Sequence, residues 1–317
     1  MAPSALLPSP PPPTTTTTTP TKKPPPQEDV ESKSALAAIS QGTTLPSIPT
    51  FPTFASHRRH LLSHMSGAFR VFARHGLTEG MSGHISLRDP EFPTTFWTNP
   101  LGRHFSLLKA SDMILVNGRG VPVGGNTSRP ANAAGFLIHA AVHEARPDVN
   151  AACHAHGVHG KAWSAFNRKL DMINQDVCYF YGPAQALYSD FGGVVLKPEE
   201  GVRLAAALGP EGKGMVLRNH GLLTVGGTVD EAAYLYTLME RSCEVQLRVE
   251  AACRQGLEKV LVPEEAARFT YKMASDPEAL YWEFQPDLEY EWEMAGGGFD
   301  DHDGEIRNFL REEVEDK

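Results

Sequence analysis

The chain has 317 residues, of which 41% are hydrophobic and 21% are charged, a balance typical of one large globular domain or two modest ones. Its net charge is −9, so composition argues against a nucleic-acid partner, which needs a basic surface. The sequence has no apolar run long enough to cross a membrane and no signal-peptide core, and its four cysteines show no paired spacing. These features predict a cytoplasmic protein with reduced thiols and no membrane partner.

Composition divides the chain into three segments. Residues 1–50 are rich in proline and threonine, and we predict a disordered tail because too few apolar side chains are available to offset the entropy of ordering. Residues 51–290 carry the apolar periodicity of a folded domain. Residues 291–317 are glycine-rich and then acidic, so a flexible acidic tail is expected there.

The first half of the folded segment predicts one helix followed by short strands. Leu61, Met65, Phe69 and Phe72 recur at helical spacing, and Gly76 is a plausible residue to end that helix. Three short strand-like runs follow, at 85–87, 95–98 and 113–117.

The second half alternates helices and strands more regularly. A helix is predicted over 132–145, and the Arg-Pro-Asp that follows it ends it, because proline disfavours helical geometry in the residue before it. Thr228 and Glu231 form a capping-box pattern that opens a long helix to about residue 252. Between them lie predicted strands at 149–154, 215–217 and 222–225 and a helix at 158–166, and a further helix begins at 263. The pattern favours an α/β sandwich with a mixed sheet.

Three histidines are the strongest chemical signal. His154 and His156 are two residues apart in a predicted strand, so their side chains point to the same face of a sheet. His220, in Asn-His-Gly, is a candidate third ligand. A three-histidine site with an open position is typical of catalytic zinc, whereas structural zinc usually has four protein ligands. Polar residues at a strand end are the alternative interpretation of His-x-His.

Several motifs together resemble the class II aldolase/adducin family, over roughly residues 57–255. They are Gly83-His-Ile-Ser86, Asn99-Pro-Leu-Gly102, His139-x-x-x-His143-Glu-Ala-Arg-Pro-Asp148, Ala152-Cys-His-Ala-His-Gly-Val-His159 and Asn219-His-Gly-Leu-Leu223.

The resemblance implies a three-layer α/β/α sandwich with a mixed, largely antiparallel sheet, commonly assembled as a homo-tetramer with its active site at the subunit interface. It also implies that His154, His156 and His220 bind a divalent metal. Zinc is the usual ion in the sugar-phosphate aldolases of the family, with Fe²⁺ or Mn²⁺ as alternatives.

The sequence departs from the phosphate-handling aldolases of this family at two places. Those enzymes carry Ser-Ser-Glu, which grips phosphate and supplies an acid/base carboxylate, where this chain has Ala133-Ala134-Gly135. Their first-loop Gly-Asn is Gly83-His84 here. These departures argue against a sugar-phosphate aldolase or epimerase.

Three functions are therefore compared. The first is a metal-dependent carbon–carbon lyase, an aldolase or decarboxylase, acting on a non-phosphorylated oxo- or hydroxy-acid, because decarboxylation needs no base to remove a C–H proton. The second is an adducin-like binding scaffold with vestigial histidines. The third is a non-haem iron oxygenase, although that metal more often uses two histidines and a carboxylate.

Other residues are candidates for the remaining roles. Asp176 and Tyr179 lie in a polar and aromatic segment and are predicted proton donors, the alternative being a turn cap and a packed ring. His84, Asn99 and Gly102 are predicted to bind substrate. His139 and His143 are four residues apart on a predicted helix, a spacing that also occurs in metal sites, and one of them is expected to pack or to form a hydrogen bond close to the metal site.

Overall fold

One eight-stranded sheet organises the chain. The computed structural model describes residues 34–40, 43–193 and 198–315. The strand order is β4-β3-β2-β1-β5-β8-β7-β6, and every neighbouring pair is antiparallel except β6 and β7, which are parallel. The strands are β1 His84–Arg88, β2 Thr95–Thr98, β3 Ile114–Asn117, β4 Pro122–Gly125, β5 Ala151–Ala155, β6 Gln185–Tyr188, β7 Gly214–Leu217 and β8 Gly221–Gly226.

Helices cover both faces of this sheet. On one face α2, α6 and α8 pack over a large apolar core, and on the other α3 and α5 pack over a smaller one. None of the described helices is long and apolar enough to span a membrane. The helices are α1 Ala35–Ile39, α2 Phe54–Arg74, α3 Ala133–Ala145, α4 Val158–Ser164, α5 Pro198–Leu208, α6 Val229–Cys253, α7 Glu264–Ala274, α8 Pro277–Met294 and α9 Glu312–Glu315. The predicted three-layer α/β/α sandwich with a largely antiparallel sheet is confirmed.

Side chains along β5 point alternately to the two faces of the sheet, and this alternation explains how a strand within the core places histidines in a site. Ala151 and Cys153 face the large core, whereas Ala152 faces the smaller core. His154 continues the second series, so its ring lies on the face covered by α3. In the neighbouring strand β1, His84 is paired directly with His154. The period of two therefore brings polar side chains of adjacent strands together on one face.

Most predicted elements are present, with boundaries that differ by a few residues. Asn132 caps α3 by accepting a hydrogen bond from Gly135 N, and Gly76 adopts φ 70° just after α2. Thr228 caps α6 by accepting from Glu231 N, but the Glu231 carboxylate accepts from Gly227 N, so the predicted capping box is only half formed. The prediction omitted β4, β6, α1, α5, α8 and α9.

The terminal segments differ from expectation. Of the predicted disordered tail 1–50, residues 1–33, 41 and 42 lie outside the described residues. Ala35–Ile39 forms a helix whose Leu36 is buried beside Met273 and Ala279. The 291–317 segment was expected to be flexible, but its described part is packed, since Phe299 is fully buried. Backbone hydrogen bonds also connect this segment to the edge strand β4. A few such contacts therefore order a segment that lacks apolar periodicity.

Candidate metal centre

The three predicted metal ligands converge. One ring nitrogen from each of His154, His156 and His220 lies within 4.8 Å of the others, the one such cluster of histidine, cysteine or acidic side chains found among the described residues. The Nε2 atoms of His156 and His220 are 3.3 Å apart. Two nitrogens bound at about 2.1 Å in a tetrahedral site are separated by about 3.4 Å, so this spacing suits one ion.

Two of the three rings are oriented by their second nitrogen. His154 Nδ1 lies 2.8 Å from the carbonyl oxygen of Leu222, so Nδ1 carries the proton and Nε2 keeps its lone pair. His156 Nδ1 lies 3.2 Å from Glu79 Oε2, which holds that ring in the same tautomer. Partners of this kind, a backbone carbonyl and a carboxylate, are what metal-binding imidazoles need to hold their orientation.

His220 is held by the tight turn between β7 and β8. Its neighbour Asn219 adopts φ 55° and donates its backbone N–H to Ser164 O, while His220 N donates to Leu217 O. Burial lowers the pKa of His220 to about 4 and lowers that of His154 well below its ordinary value. Both rings are therefore neutral at pH 7, the form that binds metal.

A buried carboxylate supports this site from behind. Glu240 of α6 accepts hydrogen bonds from His159 N at 2.7 Å and Gly160 N at 2.9 Å, in the first turn of α4. A Cβ atom at Gly157 or Gly160 would lie within 2.7 Å of the same carboxylate, so only glycine permits this approach. Tyr236, one turn earlier in α6, donates its hydroxyl to the carbonyl of Ala155. The end of β5 is thus fixed in place beside its two histidines.

The histidines open into a cavity of about 500 Å³. Two charged residues here were not predicted from the sequence. Lys161 lines the cavity, and its Nζ lies 2.8 Å from both oxygens of Glu79, the partner of His156. Lys161 is five residues after His156, and this closeness in sequence was the only signal that could have placed it in the site.

The other residues that line the cavity are Ser82, Gly83, His84, Asn132, Gly135, Ile138, Phe191, Gly193 and Asn219. A cavity of about 560 Å³ between α2 and α8 holds no such histidine cluster among the described residues.

His84 lies in the cavity wall, as predicted for a substrate-binding residue. Its ring centroid is 5.3 Å from that of His154, and it is buried with no hydrogen-bond partner within the described residues for either ring nitrogen. Burial lowers its pKa to about 3. A Cβ atom at Gly135 would lie 2.4 Å from His84 Cε1, so the ring occupies the space that a side chain at position 135 would need. The two departures from the aldolase pattern are thus physically linked.

A buried hydrogen-bond network continues behind His84, where sequence spacing predicted polar residues near the site. Ser86 Oγ lies 2.8 Å from His139 Nδ1 and 2.7 Å from His143 Nε2. His143 Nδ1 lies 3.1 Å from the carbonyl oxygen of Val149. The His139 ring is 4.2 Å from that of His84, between centroids.

Four other predicted site residues do not line this cavity. Asp176 is exposed at the start of a 3-10 turn that packs against α7, and Tyr179 forms a 3.2 Å hydrogen bond to Glu283. In this chain neither residue passes over the histidines, so the structure does not support the predicted position of the proton donor. Asn99 is buried at the end of β2, and Gly102 accepts from Arg129, with φ 73°. Both lie in the segment that follows β2, outside the cavity lining.

The match to a known family is decisive for the architecture. A model of the class II aldolase and adducin N-terminal domain matches residues 63–247. The chain belongs to this family. Among solved structures, it is similar to an L-fuculose 1-phosphate aldolase from Glaciozyma antarctica PI12, with 38% identity and a TM-score of 0.73 over 80% of this chain and 96% of that one. The predicted class II aldolase fold is confirmed.

Several known members of this family are similar to the chain in sequence. The meiotically up-regulated gene 14 protein of Schizosaccharomyces pombe is 44% identical over 76% of this chain and 92% of its own length. The decarboxylase NovR of Streptomyces niveus is 42% identical over 68% of this chain and 78% of its own. A 4-hydroxy-3-prenylphenylpyruvate oxygenase/4-hydroxy-3-prenylbenzoate synthase of Streptomyces roseochromogenus subsp. oscitans is 43% identical over 68% and 76%. The last two relatives are named as enzymes, and this similarity supports the predicted lyase-type enzyme.

Proposed function

We propose that this chain is a metal-dependent decarboxylase that acts on a non-phosphorylated oxo- or hydroxy-acid. The observation that carries the proposal is the convergence of three neutral imidazoles, two of them oriented by Leu222 O and Glu79. His154, His156 and His220 fit a divalent ion, most simply Zn²⁺, with Fe²⁺ or Mn²⁺ as alternatives. The ion supplies Lewis-acid stabilisation of negative charge that develops on a substrate oxygen.

The residues that are missing from the site favour decarboxylation. When carbon dioxide leaves a β-keto acid, the carbon–carbon bond breaks and its electron pair passes into the neighbouring carbonyl, so no base has to remove a C–H proton. Gly135 offers no carboxylate, and Ala133 and Ala134 offer no hydroxyls to grip a phosphate. The similarity to a protein named as a decarboxylase supports the same reading.

Lys161 is the residue that we propose attracts the substrate carboxylate. Among the described residues that line the cavity, Lys161 carries the ammonium group, and its side chain is half-buried. Glu79 neutralises part of its charge and holds it 2.8 Å away, beside His156. An anionic substrate would therefore meet one fixed positive side chain at the same wall as the three histidines.

We also propose that the protein assembles as a homo-tetramer, as the family resemblance implies, and that it acts on a small molecule. Light scattering of the full chain tests the assembly, since one chain is 34.6 kDa and a tetramer is four times that mass. The four cysteines are free, three of them buried, which supports the proposal of a reducing, cytoplasmic location.

A second candidate is an oxygenase that uses the same three histidines. It is favoured by the similarity to a protein named as an oxygenase and benzoate synthase. The two functions differ in what they consume, because a simple decarboxylase releases carbon dioxide without dioxygen, whereas an oxidative one takes up dioxygen as well.

One assay separates these functions. Metal-loaded protein is incubated with a panel of 2-oxo, 3-oxo and hydroxy acids, while released carbon dioxide and dissolved oxygen are measured together. We expect the wild type to release carbon dioxide without taking up oxygen. Lys161→Ala should lose this carbon dioxide release. Equal uptake of oxygen identifies the oxygenase, whereas no turnover of any acid by fully loaded protein contradicts both enzymes.

A further inference from the structure

The cavity of about 560 Å³ between α2 and α8 is an elongated groove. Trp282 and Trp292 of α8 both line it, together with Arg59 and Ser63 of α2. Ten residues of helix separate the two tryptophans, which corresponds to about 15 Å along the helix axis. A ligand that fills the groove is therefore long and narrow.

A buried carboxylate fixes one acceptor atom in this groove. Asp230 Oδ1 lies 2.6 Å from His64 Nδ1 and 2.9 Å from Gln285 Nε2. Burial alone would raise the pKa of Asp230, but His64 and Gln285 outweigh this effect and lower it, so the group is an ionised carboxylate. Gln285 Nε2 also donates to Tyr281 O at 2.7 Å, so both of its N–H groups are used. Gln285 Oε1 remains an acceptor without a partner among the described residues.

Two further carboxylates of the groove have unused acceptor atoms. Asp300 Oδ2 accepts from Arg59 Nη2 at 3.1 Å, whereas Asp300 Oδ1 is buried with no hydrogen-bond partner among the described residues. Glu289 is exposed and forms no ion pair with any residue that the structure describes. Because buried acceptors without partners are costly, this groove suits a ligand that is rich in hydrogen-bond donors.

The charge of the groove favours a cation over an anion. Burial lowers the pKa of His60 to about 3, so this ring is neutral at pH 7. Even if His64 is protonated, the three carboxylates outnumber His64 and Arg59, the cations among the described lining residues. The sequence of α8 adds to this potential, since it contains six acidic residues and neither lysine nor arginine.

Aromatic rings form another part of the groove lining. Phe51, Trp282 and Trp292 all contribute to it. Trp282 is held by a 2.6 Å hydrogen bond from its Nε1 to Pro46 O, and Trp292 packs edge-on against Phe299, with ring centroids 5.1 Å apart. The faces of such rings attract organic cations, and indole does so most strongly.

The histidines of the groove do not form a second metal centre. The rings of His60 and His64 are in contact, with centroids 3.8 Å apart and planes tilted by 44°. In the metal centre the three ring centroids are 4.7, 5.1 and 5.2 Å apart, which leaves room for an ion between the ring nitrogens. Carboxylates and aromatic faces along a narrow groove suit an organic cation better than a metal ion.

We propose that the groove between α2 and α8 binds a linear organic diamine or polyamine. Each ammonium group of such a molecule supplies one positive charge and several N–H donors, which Asp300, Glu289 and Gln285 accept at different points along the groove. Its methylene chain packs on the apolar parts of the walls. The site is separate from the proposed reaction, because Asp230 follows β8 whereas the metal ligand His220 precedes that strand.

Calorimetry of the metal-loaded full chain with spermidine, at about 0.15 M salt, tests the proposal. We expect one spermidine per chain with a dissociation constant below about 0.1 mM. Butylamine, which has a single ammonium group, should bind at least about tenfold more weakly, and magnesium chloride at equal ionic strength should not compete. No binding of spermidine, equal binding of butylamine, or displacement by magnesium would overturn the proposal.

Substitutions in the groove locate the binding site. Glu289→Gln and Asp300→Asn should each weaken spermidine binding about fivefold, the effect of one charge pair near the surface. Glu293→Gln removes the same charge from an exposed position of α8 outside the groove lining, so it should change the affinity less than about twofold. Trp292→Ala should weaken binding about threefold, and Trp292→Phe should retain most of it. Equal weakening by all three acidic variants would show that spermidine responds only to overall charge, and would contradict the proposed site.

A second measurement excludes effects on assembly and folding. Trp292 and Glu289 are both exposed, so Trp292→Ala and Glu289→Gln should match the wild type in mass by light scattering and in melting temperature. A change of mass in Trp292→Ala would show that the groove is an interface between copies of the chain, and it would overturn the amine site.

Discussion

Two buried polar clusters lie at opposite ends of the same strand, β1, and they differ in how completely their atoms are paired. Just after β1, Asp89 accepts from Arg58 Nε at 2.7 Å and Nη2 at 3.0 Å, from Trp97 Nε1 at 2.7 Å, and from the backbone N–H groups of Glu91 and Phe92. At its start, both nitrogens of His84 and one of His139 lack partners among the described residues.

The difference separates structure from function. A buried carboxylate with every lone pair used fixes the fold, here by joining α2, the start of the β1–β2 connection and β2. Buried nitrogens without partners destabilise the protein unless a ligand, ion or water completes them. We therefore assign the Asp89 cluster to stability and the His84 cluster to binding, and each prediction below can break that assignment.

The largest expected effect is on the Asp89 cluster. Asp89→Ala should lower the free energy of unfolding by about 3–5 kcal/mol, because it leaves the buried Arg58 guanidinium without its main partner. Chemical denaturation measures this loss. Glu264→Ala, which removes an exposed pair with Arg268, is the control and should unfold nearly like the wild type. Similar losses in the two variants would contradict a structural role for Asp89.

The next effect tests the linkage between Gly135 and His84. Gly135→Ala should lower the free energy of unfolding by about 1–3 kcal/mol, because its methyl group would overlap the His84 ring. In a His84→Ala background the same change should stabilise the protein by up to about 1 kcal/mol, since alanine favours a helix more than glycine does. Chemical denaturation of the wild type, the two single variants and the double variant gives the coupling free energy between positions 135 and 84. Additive effects of the two substitutions would show that the positions are not linked.

His84 itself should show the opposite sign from Asp89. His84→Leu replaces unpaired buried nitrogens by apolar atoms of similar volume, so we expect the free energy of unfolding to rise by about 1 kcal/mol. His143→Leu, in the paired part of the same network, should lower it. Thermal unfolding of ligand-free protein measures both, and destabilisation by His84→Leu would place His84 with the structural cluster.

The smallest effect is in the pH dependence of stability. Burial alone would raise the pKa of Asp89, but its bonds to Arg58 outweigh this and hold the pKa below the ordinary 3.8. A lowered carboxyl pKa contributes stability that is complete above the unfolded-state pKa and is lost as pH falls through the folded-state pKa. Below about pH 4, the free energy of unfolding measured with urea should therefore fall more steeply with decreasing pH in the wild type than in Asp89→Asn. If the free energies of unfolding of the two proteins fell in parallel with pH, the lowered pKa of Asp89 would not be the cause.

Much of the fold and part of the site could be predicted from sequence. Period-two alternation placed His154 and His156 together, and apolar spacing located α2 and α6. His220 was a candidate third ligand from its own motif, but it was matched to the other two only through the family resemblance, because 64 residues separate it from His156. The spacing of His139 and His143 indicated a shared face, but not that Ser86 would join them.

The rest depends on contacts between segments that no local pattern encodes. Lys161 and Glu79 meet across 82 residues, so neither was predicted in the site. Phe299 and Ile306 pack from a polar segment that lacks helical or strand periodicity, and the segment was therefore expected to be flexible. Asp176 was chosen because its segment mixes acidic and aromatic residues, yet that segment packs against α7 instead.

The central claim is that His154, His156 and His220 hold one divalent ion. Elemental analysis of purified full-length wild type, His154→Ala and His220→Ala tests it most directly, with His104→Ala as a control because that histidine is exposed and outside the cavity. We predict about one ion per chain in the wild type and in the control, and a loss of most of it in both ligand variants. No metal in the wild type after reconstitution, or equal metal in all four proteins, would contradict the account.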